Sequence, residues 1–256
     1  MMRFHVLTLF PGAFQGPFQH SMLEQASRKG FISIQLTDIR DYTHDAHKTA
    51  DDYQFGGGPG MVMKPEPVFE AVEDVLGGYS TEERAHIPVV LLSPQGEAFT
   101  QVLAEELSQS PAIVLICGHY AGVDERIRQG LATREISLGD FILTGGELPA
   151  MMVVDAVSRL VPGVVGSMEN VTEDSISSGV LQHPLYTRPF EYRDMAVPDI
   201  LRSGHHAEIE TWRRQESLKR TLNLRPDLLK SARLSEKLTA EDLKYLQSLG
   251  YEPEDD

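Results

Sequence analysis

Short, almost wholly apolar runs alternate with amphipathic stretches along the first 165 residues. Arg3–Leu9 (RFHVLTL) and Phe31–Ile39 (FISIQLTDI) are rich in Val, Ile, Leu and Thr and predict strands. Phe18–Lys29 between them predicts a helix, stopped by Gly30. Strand, helix, strand at this spacing is a βαβ unit and implies a parallel sheet. The pattern returns with Pro88–Leu92 (PVVLL), a helix over Thr100–Leu107, then Ala112–Cys117 (AIVLIC). Runs with no polar face fit strands covered on both sides. Ile136–Leu138 is a further short strand, and Leu148–Leu160 a helix opened by Glu147 and Pro149.

The periodicity stops at Gly166. Residues 166–178 (GSMENVTEDSISS) predict a linker between a domain of residues 1–165 and one of residues 179–256. Beyond it the pattern is helical, over Ala207–Leu224 and over Thr239–Leu249, with Thr239 as N-cap and Gly250 as C-cap. The expected architecture is an α/β domain with a parallel sheet, followed by a smaller all-α domain.

Charge changes the picture in one place. The 256 residues carry a formal net charge of −15, which by itself argues against a polyanionic partner. Yet Arg202–Arg233 holds eight bases against four acids. The stripe is either a solvated helix face or a nucleic-acid contact. Cys117 is the one cysteine, so no intrachain disulfide is available, and no apolar run reaches the roughly 18 residues needed to cross a bilayer. The N-terminus lacks the h-region of a signal peptide, so a cytoplasmic protein with no membrane association is expected.

The glycine-rich segment Tyr53–Met61 (YQFGGGPGM) invites a nucleotide-binding reading. A dinucleotide fingerprint needs a glycine where Met61 stands, and a phosphate-binding Gly-Lys-Ser/Thr loop is ruled out because the chain contains no Gly-Lys pair. His44, Asp45, His47, Asp51 and Asp52 are metal-ligating types but lack metal-site spacing, so no metal site is predicted. Three small-residue loops follow apolar segments: Leu92-Ser93-Pro94, Cys117-Gly118-His119-Tyr120 and Ile142-Leu143-Thr144-Gly145-Gly146. Ligands of α/β sheets bind at the carboxyl ends of strands. Bare backbone in an apolar setting without Lys or Arg suits a purine better than a phosphate.

GGGPGM (56–61), LLSPQG (91–96), CGHYAGVDER (117–126), SLGDFILTGGELPAM (137–151), DAVSR (155–159), TEDS (172–175) and YTRP (186–189) occur in this order. With these motifs the chain, from Arg3 to about Pro226, resembles the bacterial tRNA (guanine-N(1)-)-methyltransferase family of the SPOUT class. The resemblance implies a deep trefoil knot in the α/β domain, a feature that general rules of chain topology would exclude. It implies S-adenosylmethionine held by Leu92, Ser93, Pro94, Gly118, Tyr120, Leu138, Gly139, Asp140, Phe141, Ile142, Leu143, Gly145, Gly146 and Pro149. It assigns Asp174 as general base and Arg159 as the cation that acts with it. It implies RNA contacts at Gly58, Arg188, Arg213, Arg214, Lys219 and Arg220, a tRNA anticodon arm as partner, and a homodimer. The family usually has Arg-Tyr-Glu where this chain has His119-Tyr120-Ala121. The absent glutamate is associated with magnesium dependence, so the usual magnesium response is in question.

The chemistry implied is methylation of N1 of the guanosine 3′ of the anticodon, position 37. N1 carries a proton and is a poor nucleophile until that proton leaves, so a carboxylate is required. A general base contributes about 10²–10⁴-fold, or roughly 3–5 kcal/mol. As the proton leaves, charge grows on O6, where an arginine stabilises it. Two other readings stand beside this one: a SPOUT methyltransferase with another RNA target, and a non-catalytic RNA-binding protein.

Overall fold

The computed structural model describes residues 1–166 and 174–252. The chain forms two compact units, Met1–Met168 and Glu169–Asp256. The first contains strands β1 (Met2–Thr8), β2 (Ile32–Asp38), β3 (Asp51–Tyr53), β4 (Met61–Met63), β5 (Val89–Ala98), β6 (Ala112–Cys117) and β7 (Arg134–Ser137). Its helices are α1 (Ser21–Arg28), α2 (Pro65–Gly77), α3 (Thr81–Arg84), α4 (Gln101–Leu107), α5 (Glu125–Gly130) and α6 (Glu147–Ser158). The second unit has a hairpin, β8 (Glu191–Tyr192) and β9 (Met195–Ala196), and helices α7 (His206–Leu224), α8 (Pro226–Leu234) and α9 (Ala240–Ser248).

The sheet is five-stranded and parallel throughout, in the order β2-β1-β6-β5-β7. Side chains alternate across it. Phe4, Val6, Ile113, Leu115, Val90 and Leu92 enter a core with α1, α4 and α6. Leu7, Val114, Ile116, Val89 and Leu91 enter the opposite core with α2 and Ile127 of α5. Burial on both faces is why β6 contains no polar residue.

The expected helix over residues 18–29 is in fact two pieces. A 3₁₀ turn, Pro17–Gln19, precedes α1, and His20, in extended backbone at φ −135° and ψ 155°, separates them. β5 runs past the expected Leu92 to Ala98. Leu92 and Glu97 both pair with Ile136, so Ser93–Gly96 bulges out of the ladder between them. A Cβ on Gly96 would fall 2.4 Å from the carbonyl carbon of Glu135, so only glycine lets the returning strand close on β7.

In the second unit α7, α8 and α9 enclose a small core of Val180, Leu218, Leu229 and Leu246. Thr239 caps α9 as expected, in a reciprocal capping box with Asp242. The unit is not wholly α-helical, because β8 and β9 pair antiparallel. Of the expected linker, residues 167–173 lie outside the described residues. Residues 174–178 belong to the second unit: Gln182 N–H donates to Ser175 Oγ at 2.9 Å, and Lys237 Nζ donates to the Ser177 carbonyl at 3.0 Å.

Candidate active site

The carboxyl ends of β5, β6 and β7, three neighbours in the sheet, open into one cavity of about 500 Å³. The β5 bulge supplies Ser93, Pro94 and Gln95. The loop after β6 supplies Gly118 to Val123. The loop after β7 supplies Leu138, Gly139 and Phe141 to Gly146, and Pro149 of α6 completes the wall. All the cofactor residues expected from sequence line it except Asp140, which is exposed beside it. Ile136, Ser137, Gln95, Thr144, Ala121, Gly122 and Val123 also line it, beyond the cofactor residues expected from sequence. They are motif neighbours whose types carry no chemical signal of their own. Arg128 and Glu125 at the rim were missed too, and they pair at 2.5 Å while Arg128 also binds Glu135 at 2.9 Å.

Hydrogen bonds tie the loops around the cavity to one another. Gly146 N–H donates to the Gly118 carbonyl at 2.7 Å, and His119 and Gly145 form an antiparallel bridge. A Cβ on Gly146 would lie 2.7 Å from Cys117 Cα, so the first turn of α6 reaches the end of β6 only through glycine. Ala121 N–H donates to the Met61 carbonyl at 2.9 Å, and Met63 N–H to the Gly122 carbonyl at 3.0 Å. These bonds tie the hairpin β3–β4 and its glycine turn to the cavity edge. The turn itself, Gly58 included, is exposed and does not line the cavity.

Beneath the loops lies a buried polar pair. Thr8 Oγ1 donates to Glu147 Oε1 at 2.8 Å, and Glu147 Oε2 stands 3.7 Å from His119 Nδ1. Tyr120 holds a left-handed backbone at φ +60° and lays its ring edge-on to His119. Burial, and then the charge of Asp51, push the Tyr120 phenol upward, so it remains neutral. Burial, reinforced by the charge of Glu147, pushes the Cys117 thiol well up, which removes it as a nucleophile.

Arg159 caps the C-terminus of α6 and is half-buried, while Asp174 opens the first described turn of the second unit and is also half-buried. Of the expected RNA contacts, Arg188 is exposed, and the α7 bases are each engaged within their own unit. Arg213 pairs with Glu210 at 2.8 Å, Lys219 lies 3.8 Å from Glu216, and Arg220 donates to the Gln182 carbonyl at 3.1 Å. Arg214 makes two hydrogen bonds, 3.0 and 2.8 Å, to the buried carboxylate of Asp242. His44 of the His/Asp cluster pairs with Glu70, and among the described residues no group of three or more His, Cys, Asp or Glu is arranged to hold a metal. No described helix is long and apolar enough to cross a membrane.

Residues 2–231 match the family described as tRNA (Guanine-1)-methyltransferase TrmD. Curated relatives named tRNA (guanine-N(1)-)-methyltransferase include those of Moorella thermoacetica, 52% identical over 97% of this chain and 96% of the relative, and Geobacillus kaustophilus, 55% identical over 92% and 95%. The relative from Chloroflexus aggregans is 53% identical over 98% of this chain and 96% of its own.

Proposed function

This chain belongs to the tRNA (guanine-1)-methyltransferase TrmD family, and from that premise we propose that it methylates N1 of the guanosine at position 37 of tRNA, using S-adenosylmethionine. The observation that carries the reading is the cavity at the ends of β5, β6 and β7, lined by all the expected cofactor residues except Asp140. Its volume suits a nucleoside joined to an amino acid. Leu92, Leu138, Leu143, Pro94 and Pro149 offer apolar faces for a purine, and the loop backbone offers donors and acceptors for its edge. The cofactor, when bound, supplies an electrophilic methyl group and needs no protein nucleophile, in keeping with the inert Cys117.

The residues then divide the remaining work. Asp174 takes the N1 proton of guanine, and Arg159 stabilises the charge that grows on O6. The bulge and the loops after β6 and β7 hold the cofactor in a fixed pose. In this reading the chain threads a trefoil knot through residues 1–165, residues 166–178 carry Asp174, and residues 179–256 grip the anticodon arm. Two copies assemble as a homodimer, acting in the cytoplasm. Ala121 lines the cavity with a methyl group and cannot hold a cation, which supports a weak magnesium dependence.

The test is methyl transfer from labelled S-adenosylmethionine to total tRNA, followed by nucleoside mapping. Label in 1-methylguanosine at position 37 is expected. Label on a ribose would point to a SPOUT enzyme of another target, since a 2′-hydroxyl needs no deprotonated base nitrogen. Binding of tRNA with no transfer would leave the RNA-binding reading.

A further inference from the structure

The second unit carries an aromatic surface that the basic stripe does not explain. Phe190, Tyr192 and Tyr186 are exposed in a segment that also holds Arg188, Arg193 and Arg202. β8 and β9 present it. Val197 N–H donates to the Phe190 carbonyl at 2.9 Å, extending the hairpin, so Phe190 and Tyr192, two residues apart, share a face. The Arg202 guanidinium lies 3.9 Å from the centroid of the Phe190 ring, and that of Arg193 lies 5.1 Å from Tyr192. The two turn residues, Arg193 and Asp194, both have positive φ, +51° and +63°. Such a turn ordinarily takes Asn-Gly, so the hairpin keeps a strained arginine at its tip where a glycine would relax it.

Residues 186–202 contain three arginines and three acids, Glu191, Asp194 and Asp199, so this face has no net charge with which to attract phosphates. Exposed rings extended by planar guanidinium groups are instead the chemistry of base stacking, which is indifferent to net charge. We infer that Phe190, Tyr192, Arg193 and Arg202 form a stacking platform for unpaired bases of an RNA. The inference rests on the tRNA reading above and adds to it a mode of recognition. The platform holds loop bases by their faces, and the α7 stripe, with its bases engaged in internal pairs, is secondary.

The experiment uses the full-length protein and a tRNA transcript, with affinity read by fluorescence anisotropy between about 50 and 200 mM salt. Tyr192→Ala is expected to weaken binding about five- to a hundredfold, with an unchanged slope of log affinity against log salt. Tyr192→Trp is expected to restore it, which a loss of local fold would not allow. Arg193→Lys keeps the charge, loses the plane, and is expected to weaken binding with the slope again unchanged. The platform is overturned if Tyr192→Ala binds like wild type. It is overturned equally if Tyr192→Ala shifts the sedimentation coefficient, which would make the face a contact between copies. A salt slope reduced by about one in Arg193→Ala, which removes the charge, would mark a phosphate contact and overturn it too. A wild-type protein that neither binds nor methylates tRNA overturns both readings. One that methylates tRNA, with Tyr192→Ala indistinguishable from it, overturns the platform alone.

Discussion

Gly146 sits against the backbone of β6 with no space for a methyl group, whereas Asp174 lies in the other unit, outside the cavity loops. On the proposed function, the two residues would separate holding the cofactor from doing the chemistry. Gly146→Ala must shift the first turn of α6 away from Cys117, and is expected to lower cofactor affinity at least about tenfold. Asp174→Asn is expected to leave cofactor affinity within a fewfold and to lower the single-turnover rate by about 10²–10⁴. Calorimetry with S-adenosylmethionine and rapid-quench transfer measure the two quantities. An Asp174→Asn variant that keeps more than about a tenth of the wild-type rate removes Asp174 as the base. Ala121 makes a separate point at the same scale. Chelation, with tRNA folding followed independently, is expected to reduce turnover only modestly. Complete loss with folded tRNA would show that turnover still needs a metal, held by a group other than residue 121.

At the scale of elements, α7 and α9 are joined by Arg214 and Asp242. The Asp242 carboxyl is buried. Burial alone would raise its pKa, but hydrogen bonds from Arg214 and from the Thr239 N–H outweigh burial and hold it below the usual carboxylate value. A depressed native pKa contributes stability that is present above the unfolded value, about 4, and is lost as pH falls through the native one. Arg214→Ala is accordingly expected to destabilise the second unit by about 1–3 kcal/mol at neutral pH, since it strands a buried carboxylate. The penalty should shrink near pH 3, as pH falls below about 4 and the stranded carboxyl of the variant, no longer held down by Arg214, takes up a proton. Urea melts followed by the fluorescence of Trp212, the one tryptophan, report on α7 directly. An equal loss at both pH values would mean that Arg214 acts by packing alone.

That pair also shows why some of the molecule was legible in the sequence and some was not. β6 was predicted to its last residue, because a strand buried on both faces leaves an uninterrupted apolar run. α7 was readable to within a residue, but which of its bases were occupied was not, because Asp242 is 28 residues from Arg214 in the chain. The β5 bulge looked like a strand end since its partner, Ile136, is distant in sequence. The hairpin β8–β9 was invisible because its turn, Arg193-Asp194, uses residues that do not announce a left-handed turn. α2 was not read although Pro65 at its first position is a start signal, because its N-cap, Lys64, offers no side-chain cap. Motif order located the cavity loops. Ile136 and Arg128 entered the site only once the strands had been placed side by side.

At the scale of the whole molecule, the proposed function asks an acidic protein to meet a polyanion, and asks Asp174 to serve a cofactor held by residues of the first unit. Asp174 follows α6 closely in the chain, which suits reach to a neighbouring copy, and the proposed homodimer makes the geometry testable without a structure of the complex. Two inactive variants are purified separately and mixed under conditions that exchange subunits. Asp174→Ala lacks the base. Gly145→Trp cannot hold cofactor, since even a Cβ there would come within 2.4 Å of His119 Nδ1 and closer still to Glu147 Oε2. If each Asp174 serves the cofactor bound by the partner, a mixed dimer contains one complete site: the intact base of one chain over the intact cavity of the other. If each Asp174 serves its own chain's cofactor, both sites of a mixed dimer lack one part. Random exchange puts about half the dimers in the mixed state with one of two sites working, so activity near a quarter of wild type is expected. With exchange verified by mass spectrometry, activity that stays at the level of the separate variants would place base and cofactor within one chain.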